Sequence, residues 1–473
     1  SALTSLLGSP SVTKVWGDGQ IRMSSVWRKY AKGSPNTVWQ KTIGLPKAQS
    51  TYQGNGATVA LLDTGISPTP DLGNRVLARV DFTPDHDGYD RFGHGTHMAG
   101  IIAGDGTLSG GQWAGVAPNA NLVSVKVAGA DGSTDVSVVI AAMQWIVYHR
   151  SQYKIRVLNL SFGTDSLQSY LIDPMDYAVE RVWASGILVV VAAGNRAPDS
   201  NQSTINKPGD DPFVLTVGAA DLRNTMERND DRIAAFSSEG PTPDGVAKPD
   251  VVAPGITIVS DRAAGTTIDQ AFPDARVGAY YFKGTGTSQA AAIVSGIAAL
   301  MFQANPRLTP DVAKATLMGT TDRNLVGPSG ASHGLVDADG AVVASAANSF
   351  QYRPANVGLT PGTGLGSLEA SRGRFHVRAD LNGDGQWQRV DGEVDVLGNS
   401  WTGDSWSGNS WSSNAWALYV SSDSGWALSQ PWTGNSWSGT SWNGNSWSGN
   451  SWSGDSWSGD SWSGDSWAGD SWS

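Results

Sequence analysis

The chain contains no cysteine. No disulfide can staple it, no thiolate can act as a nucleophile, and cysteine-based zinc sites are excluded. Basic charge is also short: 32 Lys and Arg stand against 43 Asp and Glu, a net charge of −11. Phosphate backbones are bound by clustered Lys and Arg, so a nucleic-acid partner is not expected. The longest apolar run, ILVVVAA at 187–193, has the length of a buried strand and falls short of the roughly 18 to 20 residues of a membrane span. No membrane span is expected. The basic and apolar regions of a signal peptide do not begin at Ser1, so the chain reads as trimmed or as starting inside a longer precursor. The acidic balance fits a secreted, extracellular protein.

Composition divides what is present into four regions. Residues 1–45 form a leader of mixed patterning. Residues 46–346 alternate strand and helix signals. Residues 347–397 are rich in Gly and short β-like runs, and read as a small β-rich extension. Residues 398–473 repeat Gly, Asn or Asp, Ser and Trp. In the second region, ATVALL at 57–62, NLVSVKV at 121–127, VLNLSFG at 157–163, GILVVVAAGN at 186–195 and FVLTVGA at 213–219 read as buried strands. Between them lie helices, one capped by Thr134 and running to about Arg150, another around Tyr177 and Trp183 that stops at Gly186. A long apolar helix covers 288–304, and Thr309–Pro310 opens another. Continuous apolar strands alternating with helices predict an α/β fold: a mostly parallel sheet with helices on both faces.

Four residues in this region are placed for chemistry. Asp63 ends the first strong strand, where open parallel sheets put their sites; a plain turn Asp is the alternative. His94 stands between glycines at the start of a helix, where the dipole favours the neutral imidazole of a general base. A metal pair with His97 is the competing reading, but no Glu lies between them, and His97 reads as a packed helix residue. His86, His149, His333 and His376 read as structural or surface residues. Ser288 follows a Gly-rich turn and opens the apolar helix, so its hydroxyl and its unpaired first-turn amide are both available; an ordinary N-cap Ser is the alternative. Asn195 ends the most apolar strand, either as a turn Asn or as a donor to a developing oxyanion.

Together the strings LLDTGI (61–66), GHGTHMAG (93–100), LNLSFG (158–163), VAAGN (191–195), KPDVVAPG (248–255) and GTSQAAA (286–292) resemble the ordered signature blocks of subtilisin-like serine peptidases. The resemblance covers roughly residues 45–346. It implies a serine endopeptidase acting on protein or peptide substrates, with Ser288 as nucleophile, His94 as general base and acid, Asp63 holding His94, and Asn195 with the Ser288 amide as oxyanion hole. It implies that extended peptide is bound between two edges, Gly132, Ser133 and Thr134 on one side and Ser161, Phe162 and Gly163 on the other, with Asn206 near the floor of the specificity pocket. The family's usual Met after the nucleophile and Pro four residues on are here Gln289 and Ala292. An inactive protease fold serving the tail as an adhesin is the competing function; an intact set of Asp63, His94, Asn195 and Ser288 argues against it.

The leader, SALTSLLGSPSVTKVWGDGQIR, resembles the last helix and strand of a subtilisin-type propeptide, which implies a maturation cut between about Met23 and Gln40; an N-terminal arm packed on the catalytic domain is the alternative. No cofactor is expected in catalysis, but structural calcium is. DLNGDGQW at 380–387 resembles a calcium loop, with Asp380, Asn382 and Asp384 at alternate positions and Asp391 twelfth; an Asx-rich turn is the alternative. Asp71 is a further candidate by position in the family. The tail repeats G-[ND]-S-W-S and holds fourteen of the 21 Trp residues. An odd period alternates Trp between the faces of a flat strand, so a one-faced sheet is not expected. A coiled β-solenoid and a self-associating segment are open readings. The one preferred is a disordered tail that displays its rings to carbohydrate or cell wall and holds the protein at the cell surface.

Overall fold

The computed structural model describes residues 21–23, 32–198, 203–328, 330, 332–347 and 352–401, with five strand segments between residues 436 and 472. Residues 1–20 of the leader lie outside the described residues. The strands that build the site are, in chain order, β1 (Ile21–Met23), β2 (Thr58–Asp63), β3 (Val76–Asp81), β4 (Asn121–Lys126), β5 (Ser133–Thr134), β6 (Ile155–Leu160), β7 (Phe162–Gly163), β8 (Leu188–Ala192), β9 (Leu215–Asp221), β10 (Val251–Pro254), β11 (Asp322–Val326) and β12 (Ser332–Leu335).

The large sheet runs β3–β4–β2–β6–β8–β9–β10–β12–β11. Its neighbours are parallel from β3 to β12, and only β11 and a short segment at Arg232–Ile233 join antiparallel. Every residue of β2 and β8 is buried, as expected for strands covered on both faces. From β2 the chain goes out to β3 and back to β4 on one side, then crosses to β6, β8, β9 and β10 on the other. The order reverses at β2, and the crevice of an open α/β sheet lies at the carboxyl ends beside such a reversal. Asp63 is the last residue of β2.

Four helices matter most: α1 (His94–Ala103), α2 (Val136–His149), α3 (Pro174–Ala184) and α4 (Thr287–Ala304). α1 packs against α4, and both begin at the same end of the sheet as Asp63. Among the described residues α4 alone is long and apolar enough to cross a membrane, and it lies in the core of the protein. The cap of α2 differs from the sequence reading. Thr134 belongs to the β5 edge, and Asp135 caps the helix by accepting from the Ser137 amide at 2.9 Å. Both are cap residues by chemistry; pairing of the edge strand claims the first and leaves the second.

The extension holds little β-structure. It contains a short helix, α5 (Leu368–Arg372), and a pair of two-residue strands at Arg378–Ala379 and Gln388–Arg389. Side-chain carboxylates take up its backbone donors instead: Glu393 accepts from Leu368, and Asp395 from Leu397 and Asn399. Leu368, Val390 and Val396 are buried in the same core as the large sheet, so the extension is not a separate unit.

In the tail, Ser436–Trp442 pairs in parallel with Ser451–Trp457, and Ser451–Trp457 with Ala468–Trp472. Ser446–Ser448 pairs the same way with Ser461–Ser463. Each residue meets its partner fifteen positions on, which is three repeats. The described segments of the tail are thus paired strands in parallel register.

Candidate active site

Asp63 and His94 meet at the crevice. The Nδ1–H of His94 donates to Asp63 Oδ1 at 2.8 Å and lies 2.9 Å from Oδ2, with both side chains fully buried. Asp63 Oδ1 also accepts from the Thr64 amide at 2.8 Å. The proton on Nδ1 leaves Nε2 as the basic nitrogen, and Nε2 has no hydrogen-bond partner among the described residues. His97, one turn further along α1, is pushed down to about 3, first by burial and then by His94, so it stays neutral.

The placement of His94 depends on a residue the sequence reading passed over. Asp90 is buried and accepts five hydrogen bonds. Oδ1 takes the Thr64 hydroxyl at 2.8 Å and the amides of Phe92 and Gly93 at 3.1 and 2.6 Å. Oδ2 takes the amide and hydroxyl of Thr96 at 2.9 and 2.8 Å. Thr64 in turn accepts from the Gly95 amide at 2.9 Å. One carboxylate therefore ties the end of β2 to the first turn of α1. A Cβ at Gly95 would lie 2.1 Å from the Gly65 carbonyl oxygen, so only Gly lets the helix come this close to the strand. The signal available for Asp90 is only that of an acidic residue shortly before a helix start.

Ser288 is the second residue of α4, and its hydroxyl donates to the Ser161 carbonyl at 3.2 Å. That carbonyl is held from behind: Asn159 donates to the Ser161 hydroxyl at 2.9 Å and accepts from Ser295 of α4 at 2.8 Å. Asn195 lies across the start of α4, its Oδ1 accepting from the Thr287 amide at 2.9 Å. This bond turns the Nδ2 donor outward, where it is buried and without a partner among the described residues. An unpaired amide donor beside a first-turn N–H is the arrangement that stabilises an oxyanion.

The two expected peptide edges flank a strand of the chain itself. β1 lies between β5 and β7, antiparallel to both, with Ile21 opposite Thr134, Arg22 opposite Ser133 and Gly163, and Met23 opposite Phe162. Gly132 turns with φ +72° above the ring of Phe92. Asn206 fills the space between Gly163 and Gly194: a Cβ on either glycine would come within 2.9 Å of its side chain.

The calcium residues do not come together as one loop. Asp380 accepts from the amides of Asp384 and Gly385 at 3.1 and 2.8 Å, as an Asx-rich turn does, and Asn382 is exposed. Asp391 pairs with Arg389 at 2.6 Å and lies with Glu369 and His376 instead. Arg389 already neutralises Asp391 and Arg372 pairs with Glu369, so the expected twelfth ligand is engaged apart from the Asp380 turn. Both oxygens of Asp71 are taken, by the Leu108 amide at 2.9 Å and the Tyr281 hydroxyl at 2.6 Å.

The sequence profile of the subtilase family matches residues 54–341. The serine protease AprX of Bacillus subtilis strain 168 is 44% identical over 279 residues, 58% of this chain and 63% of that protein. Subtilisin BL of Lederbergia lenta is 36% identical over 61% of this chain and 91% of its own length. The match therefore spans less than two thirds of AprX. A solved structure titled as a cold adapted subtilisin-like serine proteinase overlays with a TM-score of 0.47 at 30% identity, covering 60% of this chain and 89% of that one.

Proposed function

Because this chain belongs to the subtilase family, we propose that it is a secreted serine endopeptidase of broad specificity that opens peptide bonds through an acyl-enzyme on Ser288. The observation that carries the reading is the Asp63–His94 pair with a bare, buried Nε2 at the crevice where α4 presents Ser288. In the reaction Ser288 Oγ forms a bond to the substrate carbonyl carbon and its proton passes to His94 Nε2. The carbonyl electron pair moves onto oxygen, where Asn195 Nδ2 and the Ser288 amide donate to it. Collapse breaks the C–N bond and His94 returns the proton to the leaving amine. Water then repeats the sequence on the ester and frees Ser288. Asp63 holds the tautomer and balances the imidazolium.

Substrate is bound as an added strand between β5 and β7, over Asn206. Support comes from β1, which already takes that place with both edges antiparallel. On this reading the leader is the chain's own propeptide, and maturation cuts between Met23 and Gln40. The tail presents Trp at a fixed step to carbohydrate or cell wall; the fifteen-residue register of its strands favours such a regular array. Structural calcium belongs to the same reading.

The test is covalent labelling with a sulfonyl fluoride beside casein hydrolysis, with Ser288→Ala as control. Stoichiometric modification at Ser288 and loss of turnover by about 10⁶ in the control are expected, a magnitude known from this family's own worked case. A mature, native protein that neither labels nor cleaves would point to the adhesin.

A further inference from the structure

The segment that follows the matched family region crosses back to the peptide cleft and touches both of its edges. Arg372 is fully buried at the end of α5. Its Nε lies 2.8 Å from Asp135 Oδ2, and its Nη2 3.3 Å from Asp135 Oδ1. Nη1 donates to the Gly392 carbonyl at 2.7 Å and to Glu369 Oε2 at 3.1 Å, and Nη2 to the Val394 carbonyl at 2.5 Å. Asp135 directly follows Thr134, the last residue of the β5 edge, and caps α2 through Ser137. The preceding residue of the extension reaches the other edge. The Ser371 carbonyl accepts from the Thr164 hydroxyl at 2.7 Å, and Thr164 directly follows Gly163 of β7. The Arg374 amide donates to Asp165 Oδ1 at 2.9 Å, one residue further on. The stretch from Ser371 to Arg374 thus holds the residue immediately after each edge strand.

We infer that the extension is a brace of the peptide cleft, with Arg372 as the positioning residue that sets β5 against β7. A guanidinium fork that meets three carboxylate oxygens and two carbonyls fixes direction as well as distance, which a flexible ammonium does not. Because the pair is buried, water cannot replace either partner, and the attachment is not free to slide. Thr164 and Ser371 repeat the tie on the opposite side with a neutral bond. The brace touches neither Ser288, His94 nor Asp63. It acts on how an extended peptide is held and not on the bond-making step. This inference rests on reading β5 and β7 as peptide-binding edges.

The test compares a tetrapeptide substrate, which spans both edges, with a single-residue ester, which does not. Arg372→Gln in the active chain is expected to raise KM for the tetrapeptide about tenfold, since small misplacements of a positioned substrate cost that much or more. Ester kinetics per labelled Ser288 are expected to be unchanged. Arg372→Lys should recover part of the loss, and Thr164→Val should move KM the same way by a smaller factor. If Arg372→Gln does not fold, Thr164→Val carries the same comparison. Equal losses on ester and tetrapeptide, or no change in KM in a folded and labelled variant, overturn the brace. Absence of labelling in the parent strikes the peptidase reading, and this inference with it.

Discussion

Asp90 offers a measurable test of how the catalytic histidine is held. Its Oδ1 faces two backbone amides and a hydroxyl, and its Oδ2 faces one amide and a hydroxyl. In Asp90→Asn the amide keeps its oxygen on the Oδ1 side, where two backbone donors would otherwise be orphaned. The new NH₂ then opposes the Thr96 amide alone, since the Thr96 hydroxyl can rotate to accept. One buried amide without a partner costs about 1–3 kcal/mol. Asp90→Ala orphans three amides at the start of α1, those of Phe92, Gly93 and Thr96, and should cost about 3–5 kcal/mol, a large part of the roughly 5–15 kcal/mol of a typical domain. Denaturant unfolding gives both values. Because the same carboxylate joins β2 to α1, kcat/KM per folded molecule should fall in the same order, Asp90→Ala below Asp90→Asn. Two variants of equal stability, or an Asn variant as stable and active as the parent, would refute the argument that hydrogen-bond acceptance at this one residue aligns His94.

Other outcomes follow from the same geometry. Asn195→Ala should lower kcat by about 10² to 10³ with little effect on KM, the size found for the equivalent donor in this family's worked case; steady-state kinetics decide it. Burial pushes Glu180 up from its usual 4.5 to about 7, against the Gly362 amide that it accepts. A raised carboxyl contributes stability that is full below about 4.5 and lost as pH rises through about 7. Thermal unfolding of Glu180→Gln should therefore show a flatter slope than the parent between those values. Gln289 stands beside the nucleophile where an oxidisable thioether is usual, so activity should survive peroxide; rapid inactivation traced to the active site would contradict this.

The residues of the site differ in how far sequence alone reaches them. Asp63, His94, Asn195 and Ser288 each sit at or near a strand end or helix start with a Gly within two residues, so local pattern marks their positions. Asp90 carries no such mark, because its role comes from five donors gathered by folding around an otherwise ordinary loop acid. β3 escaped notice since it is an edge strand whose first four residues are only partly buried or exposed, giving no continuous apolar run. Arg372 could not be read at all: its partner Asp135 is 237 residues away, and neither residue has a neighbouring pattern that points to the other. The extension failed as a β-rich unit for a related reason. Its Gly-rich runs looked like strands and turns, yet their amides are satisfied by acidic side chains brought in from nearby turns.

The strand at Ile21–Met23 is joined to the protein whose cleft it fills. A tethered occupant meets its site at an effective concentration on the order of millimolar, whatever the amount of protein in solution. Dilution cannot empty such a cleft. If the leader is the propeptide proposed above, release within one molecule is unimolecular, and the lag before activity should be the same at nanomolar and micromolar enzyme; a lag that shortens with concentration would instead mark cutting of the tether by a second molecule.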